Sequence, residues 1–173
     1  MTTQSLMNAK TFVMSDNSPL LGPASRSCPS RDEFEEWLAG LDDTIELFID
    51  ELPEALSVTL DESPDSLLSL EAWLLNRYSG ISALLCREEA GVLDGCAGYV
   101  GEVFRKHLGG IWTIELDQPD RAFYGLPILR GPWGEECSAS LVTACLDRRT
   151  GHYMHAVFRN WEKIKNGKHS EIA

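Results

Sequence analysis

The stretch GYVGEVFRKHLGGIW, Gly98 to Trp112, gathers residue types that often do chemistry: glycines, one carboxylate among bases, a histidine and a tryptophan. Glycines beside charges can cradle a phosphate, because backbone amides then reach the anion unobstructed. The spacing argues against that use. Neither GYVGE nor KHLGG matches GxGxxG or GxxxxGK[ST], and neither follows a clear strand. Read as a helix, the residues make better sense. Gly91, Gly95, Gly98, Glu102 and Arg105 succeed one another at steps of four, three, four and three, which is one helix face. Each glycine in a helix costs about 1 kcal/mol against alanine, and close approach of another element is the usual physical reason to keep it. Glu102 ends this small-residue face, within i+3 and i+4 reach of Arg105 and Lys106. It is either half of an ion pair inside the fold or, with Arg105 and Trp112, a contact to a ligand.

Other chemistry is sparse. His152 and His155 stand three apart, but without HExxH spacing or clustered acids, so no metal is expected. His107 and His169 are single residues near helix ends. No serine sits in a Gly-x-Ser-x-Gly elbow. The cysteines Cys28, Cys86, Cys96, Cys137 and Cys145 are odd in number, scattered and without CxxC, which suits reduced thiols rather than a disulfide framework. No catalytic residues, no cofactor and no enzyme are therefore expected.

Charge is the strongest signal. The formal net charge is −12 over 173 residues. Residues 31–75 carry one base and fourteen acids, whereas residues 76–173 carry twelve of each. One segment thus holds the imbalance. A concentrated acidic face repels nucleic acid and anionic membranes and attracts basic proteins at enhanced rates. No run of about 18 apolar residues is present, and the N-terminus lacks the basic-then-apolar order of a secretory signal. A cytoplasmic protein is expected.

The elements that position these residues follow from periodicity. Residues 1–30 are rich in Ser, Pro, Asn and Gly and read as a flexible arm; residues 31–173 read as one domain. Ser30 and Glu33 have capping-box spacing. From there one helix is expected to run through Gly40 to about Pro53, with Phe34, Trp37, Leu38, Leu41, Ile45, Phe48, Ile49 and Leu52 on its apolar side. Val58 to Leu60 suggests a short strand. Ser63-Pro64 signals a helix start, with Leu67, Leu70, Trp73 and Leu74 packed. Further helices are expected at about 81–89, 92–108, 138–147 and 152–165. IWTIEL and AFYGLPILRG alternate as two antiparallel strands, with Pro127 favouring a sheet edge. The fold class is α+β, mostly helical, with a small antiparallel sheet in the C-terminal half.

Together, SPDSLLSLEAWL, then GCAGYVGEVFRKHLGGIW, then strands with YGLPIL resemble a group of small bacterial proteins of unassigned function, similar to immunity proteins of polymorphic toxin systems. The resemblance spans about residues 58–130 and concerns helix packing, so it transfers no active site. It implies a protein that neutralises a cognate toxin domain. A basic toxin domain would be complemented by the acids Glu35, Glu36, Asp42, Asp43, Glu46 and Asp50, with Trp37 as an anchor if its ring is exposed. The alternative is a small-molecule-binding or enzymatic domain with a pocket at the glycine-lined helix around Glu102, Arg105 and Trp112.

Overall fold

The computed structural model of the chain describes residues 27–170. The elements run α1 (Arg31–Ala39), α2 (Leu41–Asp50), α3 (Glu54–Ser57), α4 (Ser66–Arg77), α5 (Ile81–Leu84), α6 (Ala90–Leu108), β1 (Ile111–Ile114), β2 (Pro127–Gly131), β3 (Gly134–Glu136), α7 (Ser138–Arg148) and α8 (Tyr153–Ser170). This is the expected α+β class. Most of the expected N-terminal arm lies outside the described residues. Its end is docked: Cys28 is buried, and its amide donates to the Gly125 carbonyl at 2.8 Å.

The central element is α6. Every residue from Gly95 to Phe104 is buried, as in a helix surrounded on all sides. The small-residue face does admit a neighbour. A Cβ on Gly95 would lie 2.3 Å from the Phe48 Cβ, and one on Gly98 would lie 2.9 Å from Leu41 and 3.0 Å from Ile45. Thus α2 crosses α6 at a distance that only glycine permits. Gly91 meets nothing within 4 Å, so it is not part of that contact. Gly101, outside the expected face, has a corresponding role: its Cβ would meet the Trp112 ring at 2.1 Å.

The expected single first helix is two. Ser30 caps it as read, accepting the Glu33 amide at 3.2 Å. At Gly40 the backbone shifts (φ −96°, ψ 5°), although the Gly40 carbonyl still accepts the Thr44 amide at 3.0 Å. The break lets α1 send Phe34 and Trp37 towards β1, where Trp37 meets Trp112 edge-on at 5.1 Å, while α2 sends Leu41, Ile45 and Phe48 into the core beside α6. Val58 to Leu60 is not a strand. The Thr59 and Leu60 amides bond back to Leu56 and Ser57, closing turns after α3. The expected helix over 81–89 is α5 plus a separate 3₁₀ turn at Arg87–Glu89, because Cys86 between them is extended (φ −69°, ψ 154°).

The sheet order is β1-β2-β3, antiparallel throughout, with Trp112 opposite Leu129 and Leu129 opposite Glu136. Pro127 is therefore on the central strand, not an edge. Its missing N–H is tolerated because it is the first residue of β2, opposite Ile114 at the end of β1. The strand β3 has no alternating apolar pattern to announce it. Two side-chain contacts, one buried and one at the surface, then place the last helices. The Glu71 carboxylate of α4, fully buried, accepts the Met154 amide at 2.9 Å and so caps the start of α8. Arg149, in the left-handed region after α7 (φ 51°), donates to the Leu75 and Tyr78 carbonyls at the end of α4.

Two glycine substitutions in α6 should separate contact from propensity. Gly95→Ala is expected to lose at least about 2 kcal/mol, because Phe48 must move. Gly91→Ala should be neutral or gain up to about 1 kcal/mol. Urea unfolding midpoints compare the two directly; equal effects would mean that α2 does not sit on Gly95.

Candidate functional site

The acidic face is built by α1 and α2. Because Phe34, Trp37, Leu41, Ile45 and Phe48 point inward, the residues between them point outward. Glu35, Glu36, Asp42, Asp43, Glu46 and Asp50 are all exposed. Among the described residues, no acid between Asp32 and Glu54 has a salt-bridge partner within 4 Å. Among the acids elsewhere, Glu88, Asp117, Asp120 and Asp147 are likewise exposed without a salt bridge, but others are matched by bases. Glu62 pairs with Lys106, Asp65 with His155 and Arg159, Glu89 with Arg77, and Glu135 with Arg130 and Arg121. Asp42 and Asp43 occupy the first turn of α2, where the helix dipole favours negative charge. Glu46 is at i+4 and i+3 from them, and Asp50 at i+4 from Glu46. Such like-charge pairs each oppose the helix by a few tenths of a kcal/mol.

The expected aromatic anchor is not available on this face. Trp37 is 8% exposed and packs between Phe34 and Trp112. The exposed apolar residue on α2 is Leu47, at 65% exposure, on the helix side occupied by Asp43, Glu46 and Asp50. Leu38 on α1 is also partly exposed. Leu47 falls outside the apolar stripe of its helix, and that displacement is the signal that could have identified it from sequence.

The second expected cluster, Glu102, Arg105 and Trp112, does assemble. Arg105 donates Nε to Glu102 Oε1 at 2.8 Å and Nη2 to Oε2 at 2.7 Å, and the Trp112 indole donates to Oε1 at 2.8 Å. Glu102 is buried. Burial pushes its carboxyl up, but the Arg105 and Trp112 hydrogen bonds and the charges of Arg105 and Lys106 outweigh it and hold the group below its ordinary value. Arg105 is correspondingly raised, first by its bond to Glu102 and further by the charges of Asp42 and Glu62. The acidic face and the Glu102 cluster therefore adjoin through Arg105. Both Glu102 oxygens are used within the fold. A small cavity of ≈ 20 Å³, room for about one water, is lined by Trp37, Leu93, Asp94, Ala97, Leu126 and Pro127, without Glu102, Arg105 or Trp112.

The remaining reactive side chains are dispersed. His155 meets Asp65 at 3.1 Å, and His152 bonds to the Thr150 carbonyl at 3.0 Å. No group of three His, Cys, Asp or Glu among the described residues is placed to hold a metal ion. Cys96, Cys137 and Cys145 are buried, and burial pushes each thiol up. No described helix is long and apolar enough to cross a membrane. Comparison with protein-family models, with curated proteins and with solved structures gave no match.

Glu102→Gln should destabilise the protein by about 2 kcal/mol at neutral pH, since a charge-assisted pair becomes a neutral one. The folded-state pKa of Glu102 lies below its unfolded value of 4.5. The wild-type advantage is thus full above that value and shrinks as pH falls through the folded pKa. Denaturant unfolding of both proteins at pH 7 and at about pH 3 should show the gap narrowing in acid; a constant gap would contradict the ion pair.

Proposed function

We infer that this chain is a protein-interaction module, not an enzyme. It binds a basic protein partner through the outer face of α1 and α2, and the partner is a cognate toxin domain that it neutralises in the cytoplasm. One observation carries the reading. Glu35, Glu36, Asp42, Asp43, Glu46 and Asp50 are exposed and have no cation within salt-bridge distance among the described residues, whereas acids such as Glu62, Asp65, Glu89 and Glu135 are matched by bases. The face carries like charges three and four residues apart, and a basic surface would relieve that repulsion.

The division of labour follows from the chemistry. The acids steer and align the partner, an effect that raises the association rate and weakens with salt. Leu47 supplies apolar area in the middle of the acidic rim, the arrangement in which an anchor is desolvated on binding. Neutralisation comes from covering the mouth of the partner's active site. The Glu102 ligand reading gains no support, because that carboxylate is already held by Arg105 and Trp112.

The product of the neighbouring gene supplies the test. Co-expression should rescue cells from it, and calorimetry should detect a complex. Charge reversal at Asp42, Asp43 and Glu46 is expected to weaken binding at least tenfold at low salt and less at high salt. Leu47→Asp should weaken it at both salt concentrations. A harmless neighbour, or reversal that leaves affinity unchanged at both, would remove the support for this reading.

A further inference from the structure

Glu136 is a buried acid with no role in the acidic face or in the Glu102 cluster. It ends β3 with 8% exposure. Its Oε2 accepts the Trp161 indole N–H of α8 at 2.8 Å, and its Oε1 accepts the Cys137 amide at 3.1 Å. The Trp161 ring lies on Gly134, where a Cβ would approach it to 2.7 Å, and 5.2 Å from the ring of Trp133. Trp133 is itself fixed by donating to the Gly109 carbonyl at 3.0 Å. The β2–β3 hairpin therefore forms a seat for the second half of α8, with Glu136 as the polar contact of that seat, while the Lys165 ammonium donates to the His107 carbonyl at the end of α6 at 3.1 Å. The first half of α8 is held separately, by Glu71 at Met154 and by Phe158 against Phe104.

We propose that Glu136 and Trp161 form a proton-operated latch: neutral Glu136 keeps the second half of α8 on the hairpin, and ionised Glu136 releases it. The geometry supplies the reason. Two N–H donors satisfy the carboxyl, but no cation among the described residues is within salt-bridge distance of it. On β2, Leu129 lies opposite Glu136, while Arg130 bonds to Glu135 on the other face of the hairpin. From the start of α7 comes the Cys137 thiol and from α8 the Tyr153 hydroxyl; burial pushes both up, so both are neutral. Arg148 stacks on the Tyr153 ring, and the adjacent Glu162 pairs with Arg159. An ionised Glu136 is left as a buried anion without a counter-ion, which regains hydration only if the seat opens.

Burial pushes the Glu136 carboxyl up to about 7, against the opposing Trp161 and Cys137 hydrogen bonds. The folded value exceeds the unfolded value of 4.5. Closure is thus fully favoured below about pH 4.5 and weakens as pH rises through about 7, by up to about two orders of magnitude in the closing equilibrium.

Amide hydrogen exchange on the full chain, corrected for the intrinsic pH dependence of exchange, tests the latch. Protection of residues 159–167 should fall at least tenfold between about pH 5.5 and 8.5, while α4 and the buried part of α6 stay unchanged. Glu136→Gln cannot ionise and offers one acceptor oxygen to the two N–H donors of Trp161 and Cys137, so its protection should be flat with pH at whatever level it takes. The Glu136 carboxyl carbon, followed by NMR in the wild type, should titrate near neutrality; this reading does not depend on the variant folding. Protection of the segment that ignores pH, an equal fall in Glu136→Gln, or titration of Glu136 in the ordinary carboxylate range would each overturn the proposal.

Discussion

The close approach of α2 to α6 over Gly95 and Gly98 is the contact on which the remaining architecture depends. Side chains on α2 occupy the space that Cβ atoms on α6 would need. That fixes the angular phase of α2: Leu41, Ile45 and Phe48 must face α6, so Asp42, Asp43, Glu46 and Asp50 must face solvent. The acidic face is thus a consequence of glycines on a different helix. Gly101 extends the constraint by seating Trp112, which joins α1 through Trp37 and holds Glu102 through its indole.

The protein treats its carboxylates in distinct ways, and each way has a physical cause. Glu102 is buried but meets a guanidinium, so pairing outweighs desolvation and the group is held ionised. Glu136 is buried and meets only neutral donors, so desolvation wins. Glu71 spends one oxygen on the first turn of α8, while its other oxygen has no hydrogen-bond partner. That leaves a buried polar group only partly compensated, at the junction that fixes where α8 begins. The acids of α1 and α2 are exposed and have no salt-bridge partner among the described residues, although the charge of Asp42 acts on Arg105. Charge is therefore concentrated where the fold does not use it.

Much of the organisation was legible in local sequence. Ser30 and Glu33 mark the first helix start, and Gly109 (φ +76°) marks the end of α6. Of the apolar stripe on α2, Leu41, Ile45 and Phe48 are buried and Ile49 half-buried. The Glu102–Arg105 pair is one of two that i+3 and i+4 spacing offers, and Trp112 is grouped with Glu102 only in the ligand reading, whereas its indole bonds to Glu102 inside the fold. Less legible were the interruptions. Gly40 costs about 1 kcal/mol in a helix, too little to end one, so the stripe reads as continuous, yet α1 and α2 face different neighbours. Pro127 suggested an edge, because a missing N–H matters on a central strand except at its first residue, and only the register shows that it is the first.

What the sequence by itself determined is what a few residues decide among themselves. That includes the helical and strand periods, the caps, the concentration of acid in residues 31–75 and the mostly helical α+β class. These signals are local, because a residue's phase on a helix depends on neighbours three and four positions away. The tertiary structure alone decided which acids are buried, which apolar residue remains in water, and that β2 lies between two partners. Those outcomes depend on groups distant in sequence, as Glu136 and Trp161 are on β3 and α8, and Glu71 and Met154 on α4 and α8. Whether such a carboxyl is charged depends on the solvent and donors that distant segments leave around it, and no local pattern in the chain records that environment.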